Sequence, residues 1–88
     1  MKVTFTANGW ENYLFWFRSD LDLLRRIHEL IDDARRHPFA GLGKPEPLKG
    51  RYAGWWSRRI NREHRLVYRV HGTGDDQALE IAQCRYRY

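Results

Sequence analysis

A single cysteine, Cys84, stands in a chain of 88 residues. No intramolecular disulfide can form, and a structural zinc site would have to lean on histidine and carboxylate. The four histidines, His28, His37, His64 and His71, fall at no metal-ligand spacing, so neither a metal nor another cofactor is expected. No apolar run approaches the ~20 residues of a membrane span. No signal-peptide core follows Met1-Lys2-Val3-Thr4, so a cytoplasmic location is expected. Length is also short. The chain reads as one domain, residues 1–88, burying roughly 60–65% of the surface its unfolded form exposes. That excludes two-domain dinucleotide enzymes and eight-stranded barrel enzymes, and confines any chemistry to a surface or a shallow groove.

Aromatic residues and arginine are plentiful. Aromatics make up 15% of the chain and carry much of its burial potential. Arg outnumbers Lys thirteen to three, and the net charge is +5. Residues 1–43 hold six basic and six acidic residues, whereas residues 44–88 hold ten basic and five acidic. The whole excess therefore lies in the second half. Arg suits bidentate phosphate contacts and stacking on bases, so a polyanion, with nucleic acid the commonest kind, is the leading expectation.

Lys2 to Thr6 alternates polar and apolar as a strand does. Trp10, Tyr13, Leu14 and Phe17 then fall on one helical face, with Asn8 as a candidate N-cap. Ser19-Asp20-Leu21-Asp22 marks a new helix start. Leu23, Leu24, Ile27, Leu30, Ile31 and Ala34 give the second helix an apolar stripe that Pro38 terminates. Residues 38–50 read as a loop holding all three prolines, two of them flanking Glu46. Trp55–Ile60, His64–Val70 and Ala78–Cys84 read as strands joined by turns. The order β-α-α-β-β-β predicts an α+β fold, a small, mainly antiparallel twisted sheet with a helix hairpin on one face. Leu66, Tyr68 and Val70 should face the helices, leaving Arg65, Val67 and Arg69 on the free face. Cys84 should be packed, and Trp55 and Trp56 should face opposite ways.

Four segments together resemble the YoeB/Txe toxins of the RelE superfamily. They are Gly43-Lys44-Pro45-Glu46-Pro47-Leu48-Lys49, Gly54-Trp55-Trp56-Ser57-Arg58-Arg59-Ile60, Glu63-His64-Arg65-Leu66-Val67-Tyr68 and Cys84-Arg85-Tyr86-Arg87-Tyr88. Trp10 with Tyr13, and Arg35 to Phe39, extend the likeness over almost the whole chain. The resemblance implies the toxin half of a type II toxin–antitoxin pair, an endoribonuclease (mRNA interferase) that cuts mRNA in the ribosomal A site and so inhibits translation. It implies the bacterial ribosome and mRNA as partners, a YefM-like antitoxin whose tail wraps the toxin, and a homodimer.

The resemblance also implies roles. Cleavage without a metal needs a base for the 2′-OH, an acid for the departing 5′-oxygen and positive charge for the phosphorane between them. Glu46 matches the base, Arg65 the transition-state stabiliser and Tyr88 a terminal tyrosine that stacks or bonds phosphate. Without the motif, Glu46 is an ordinary loop carboxylate, and Arg65 is a partner for an acid such as Glu80. Arg87 departs from the family, which has a histidine there as acid. Arginine cannot give up a proton near neutral pH, but it can stabilise charge. The alternative is therefore an attenuated or non-catalytic RNA- or ribosome-binding member of the fold. A gyrase-inhibiting branch is disfavoured by Glu46, Arg65 and Tyr88. Lys44, Lys49, Arg51, Arg58, Arg59, Arg62 and Arg69 are the expected RNA footprint.

Overall fold

The computed structural model describes all 88 residues. Strand β1 (Lys2–Phe5) leads into helices α1 (Ala7–Ser19) and α2 (Leu21–Arg36). Four strands follow: β2 (Glu46–Pro47), β3 (Trp56–Arg59), β4 (Arg65–His71) and β5 (Ala78–Gln83). The sheet order is β1-β5-β4-β3-β2, with β1 parallel to β5 and every other pair antiparallel. The expected α+β class and helix hairpin are present. The expected loop around Glu46 is corrected: Glu46 and Pro47 form a short edge strand opposite Ser57 and Trp56. Proline lacks an N–H, and an edge is where a sheet tolerates that loss.

Caps fix the helix hairpin. Thr6, not Asn8, caps α1, its Oγ1 accepting from the Gly9 N–H at 3.1 Å. Asp20, not Ser19, opens α2 by accepting from Leu23 N–H, while its own N–H closes α1 on the Trp16 carbonyl. Ser19 instead donates back to the Phe15 carbonyl. The α2 stripe is as expected, with Leu24, Ile27, Leu30, Ile31 and Ala34 buried. The α1 face is not. Trp10 and Phe17 are 48% and 54% exposed, and the buried residues are Gly9 and Trp16. With apolar residues at every position from 13 to 17, periodicity alone chooses no face. Backbone approach does: a Cβ at Gly9 would lie 2.4 Å from the Ile81 carbonyl oxygen, so α1 rests directly on β5.

Leu66 and Tyr68 face the helices and are fully buried with Ile27, Leu30, Leu79 and Ile81. Cys84 is packed beneath α1, and burial pushes its thiol up to about 12. The second sheet face is less open than expected, because Arg65 and Val67 are buried there too. The chain after β5 folds back across it. Gln83 Nε2 donates to the carbonyls of Arg85, Tyr86 and Arg87. Arg65 N–H donates to the Tyr86 carbonyl, and Tyr86 N–H to His64 Nδ1. The C-terminal residues are thereby held over the sheet by named bonds.

Candidate active site

Strand register sets the frame. Glu46 lies opposite Ser57, Ser57 opposite Val67, and Arg59 opposite Arg65. Positions two apart in a strand share a face, so Glu46, Ser57, Arg59 and Arg65 point to the side over which the C-terminal residues return. There Tyr88 Oη donates to Glu46 Oε1 at 3.1 Å and accepts from Ser57 Oγ at 3.3 Å. A carboxylate and a phenol 42 residues apart in sequence thus meet at the sheet edge. Glu46 is exposed, and its Oε2 has no hydrogen-bond partner.

The loop before Glu46 is pinned. Arg59 N–H donates to the Gly43 carbonyl at 2.7 Å. Gly43 has φ +79° and sits so close to Leu30 and Arg58 that a side chain would collide. Lys44 follows at φ 52°, a left-handed conformation uncommon for a residue with a side chain.

Beside the Glu46–Tyr88 pair lies an open groove of about 610 Å³, lined by Gly43, Ile60 and Asn61 and by Arg26, Lys44, Arg59, Arg62, Arg65 and Arg87. The turn at Asn61 supports its floor. Asn61 Oδ1 accepts from the N–H groups of Glu63 and His64. The Arg65 guanidinium, in a residue only 9% exposed, donates through one nitrogen to the carbonyls of Asn61, Arg62 and His64. Arg87 donates to that same Arg62 carbonyl at 2.8 Å. One peptide oxygen therefore draws two guanidinium groups together.

The four expected catalytic residues fall into two pairs, Glu46 bonded to Tyr88 at the sheet edge, and Arg65 with Arg87 on the shared Arg62 carbonyl in the groove. Lys44, Arg59 and Arg62 line that groove too. Lys49 and Arg51 lie exposed just past β2, with Arg51 over the Tyr52 ring, which itself neighbours Tyr88. Arg58 is corrected. It is 0% exposed and faces the helices, held by Asp33 at 2.6 Å, Tyr68 Oη and the carbonyls of His37, Ala40 and Leu42. It offers RNA nothing and instead ties the 37–42 loop to the sheet. Its bond to Asp33, with a further bond from Leu42 N–H, holds that carboxyl below the usual carboxylate range. Burial raises Tyr68 against the opposing pull of the same guanidinium. Arg69 is also corrected: it pairs with Glu80 at 2.7 Å and lies over the Trp55 ring, so its charge is matched. Glu80 thus belongs to Arg69, not to Arg65.

Sequence reasoning missed Arg26, Ser57 and Asn61. Arg26 arrives from α2, and only the packing of α2 near the Gly43 loop brings it to the groove. Ser57 could have been found only from the short strand at Glu46.

A profile of the YoeB-like toxins of bacterial type II toxin–antitoxin systems matches residues 5–88. The chain belongs to that family. It is 54% identical to a toxin named YoeB from Streptomyces coelicolor, with both chains fully covered. Among solved structures, a YoeB/ParE toxin from Agrobacterium tumefaciens superposes with a TM-score of 0.95 at 57% identity, again over the whole of both chains. A YoeB from Staphylococcus aureus, solved as a dimer, matches at a TM-score of 0.85 and 40% identity over 100% of this chain and 98% of its own. The same relative has also been solved in a heterotetrameric YoeB–YefM complex. The YoeB-like fold is thus shared in full, and no helix of this chain is long and apolar enough to cross a membrane.

Proposed function

We propose that this YoeB-like toxin is a ribosome-dependent endoribonuclease that cuts mRNA in the A site by attack of the 2′-OH on the adjacent phosphorus. The observation that supports this most is the meeting of Glu46 with Tyr88 at 3.1 Å beside arginines that have no acidic partner. Glu46 takes the 2′ proton through its free Oε2. Arg65 and Arg87 hold the non-bridging oxygens as negative charge builds on the phosphorane. Tyr88 fixes the carboxylate and offers its half-exposed ring to a base. The bond to O5′ breaks, leaving a 2′,3′-cyclic phosphate and a 5′-hydroxyl. Arg87 gives up no proton near neutral pH, so the proton on O5′ comes from water. Guanidinium groups take the place of a metal in stabilising charge, and the reaction uses no cofactor.

The dimeric and YefM-bound forms of the Staphylococcus relative support a homodimer and a YefM-like antitoxin as partners here. A basic groove is also a docking place for an acidic antitoxin segment, which would silence the toxin by occupation. Inducing the chain in bacteria tests the reading. Growth arrest with A-site cuts, lost in Glu46→Ala and Arg65→Ala, supports it. Arrest that survives both substitutions without cuts contradicts it and favours a binding-only member, the reading that Arg87 keeps open.

A further inference from the structure

Six cations face the groove, and its lining holds no carboxylate. Of the ten cations elsewhere in the chain, Lys2, Arg25, Arg35, Arg58 and Arg69 each have an acidic partner within 4 Å, and Arg18, Arg36, Lys49, Arg51 and Arg85 have none but are not gathered into one groove. Lys44, Arg59, Arg62, Arg65 and Arg87 have none. Arg26 has only Glu29, at 3.8 Å and on its own helix. Gathering like charges into one groove costs stability through their mutual repulsion. The fold nonetheless enforces the arrangement with directed bonds, two of them ending on the Arg62 carbonyl. The groove also extends beyond the chemistry proposed above, because neither Glu46 nor Tyr88 lines it. A single scissile phosphate contacted by Arg65 and Arg87 leaves Arg26, Lys44, Arg59 and Arg62 without an anion.

We propose that this end of the groove is a second phosphate subsite, in which Arg26 of α2 closes one wall and Lys44, Arg59 and Arg62 supply the rest. It takes a phosphodiester phosphate of RNA other than the one held by Arg65 and Arg87. Arg26 is a binding residue in this scheme and takes no part in bond breaking. The inference extends the proposed RNA cleavage, but its test does not depend on cleavage. Two sources offer the same phosphodiester chemistry, the cut strand itself and ribosomal RNA.

The experiment measures binding of the full chain to a labelled six-nucleotide 2′-O-methyl RNA, which cannot be cut by 2′-OH attack, across a salt series. A parallel arm uses ribosomes free of mRNA. Arg26→Gln is compared with Arg25→Gln, which removes the same charge from the neighbouring position, where the side chain is exposed and paired with Asp22. The expected result is about fivefold to tenfold weaker binding for Arg26→Gln, with the salt slope reduced by about 1, and less than a twofold change for Arg25→Gln. Loss in the oligonucleotide arm assigns the subsite to the cut strand, and loss only in the ribosome arm assigns it to ribosomal RNA. Equal effects of the two substitutions, or no effect of Arg26→Gln in either arm, overturn the subsite. A chain that binds through Arg26 but never cleaves would sink the enzymatic reading and leave the subsite standing. A chain that cleaves with Arg26 irrelevant would do the reverse.

Discussion

Arg58 and Arg59 are neighbours in β3 and occupy opposite environments. Alternation sends Arg58 toward the helices, where it is fully buried and makes five hydrogen bonds. It sends Arg59 toward the groove, where its side chain is exposed and has no acidic partner. One guanidinium is matched to fixed protein acceptors, and the other awaits an anion from outside. The same residue type therefore serves folding on one sheet face and, in the proposed function, recognition on the other. What separates them is the supply of acceptors: Asp33, Tyr68 Oη and three loop carbonyls hold Arg58, whereas the Arg59 side chain has no hydrogen-bond or acidic partner.

The largest test of this contrast is a pair of substitutions followed by denaturant unfolding. Arg58→Met leaves Asp33 and the carbonyls of His37, Ala40 and Leu42 without their donor. It should cost about 3–5 kcal/mol, as breaking a buried pair does. Arg59→Gln should stay within about 0.5 kcal/mol of the parent while weakening RNA binding. Equal losses of stability would erase the distinction between the two faces.

Arg87→His asks whether the groove face lacks only an acid. A correctly placed imidazole can donate the proton that arginine cannot, and general acids contribute roughly 10²–10⁴-fold. Cleavage per ribosome should rise at least about tenfold at neutral pH. Equal rates for the two proteins would show that electrostatic stabilisation by Arg87 already suffices.

The smallest effect concerns acid. Asp33 has a folded-state pKa below its ordinary 3.8 because Arg58 bonds its ionised form. Its contribution to stability is therefore complete above about pH 4 and is lost as pH falls below that value toward the folded pKa. Asp33→Asn should flatten the acid limb of a stability–pH profile in that window. An unchanged limb would mean that other carboxylates carry it.

The sequence was most legible where a pattern has one reading. The α2 stripe at Leu24, Ile27, Leu30, Ile31 and Ala34, the three-strand meander and the inward set Leu66 and Tyr68 all follow from periodicity. The α1 face did not, because aromatic residues surround the helix and the deciding contact is Gly9 against a β5 carbonyl. At the site, the motifs pointed to Glu46, Arg65, Arg87 and Tyr88, and the fold pairs Glu46 with Tyr88 and Arg65 with Arg87. Composition could not say which cations are free. Charge is visible in a sequence, but a partner is not, so Arg58 and Arg69 were counted with the footprint and Arg26 was left out of it. The return of Arg85 to Tyr88 over the sheet was equally hidden, since it depends on side-chain bonds from Gln83 and the ring nitrogen of His64.

The most direct test is the 5′-end chemistry of mRNA in a purified translation system supplied with the toxin, compared between the parent chain and Glu46→Gln. The account predicts cuts in the A-site codon bearing 5′-hydroxyl and 2′,3′-cyclic phosphate ends, reduced at least about a hundredfold by the loss of the base. Undiminished cuts in Glu46→Gln, or ends carrying a 5′-phosphate, would contradict it.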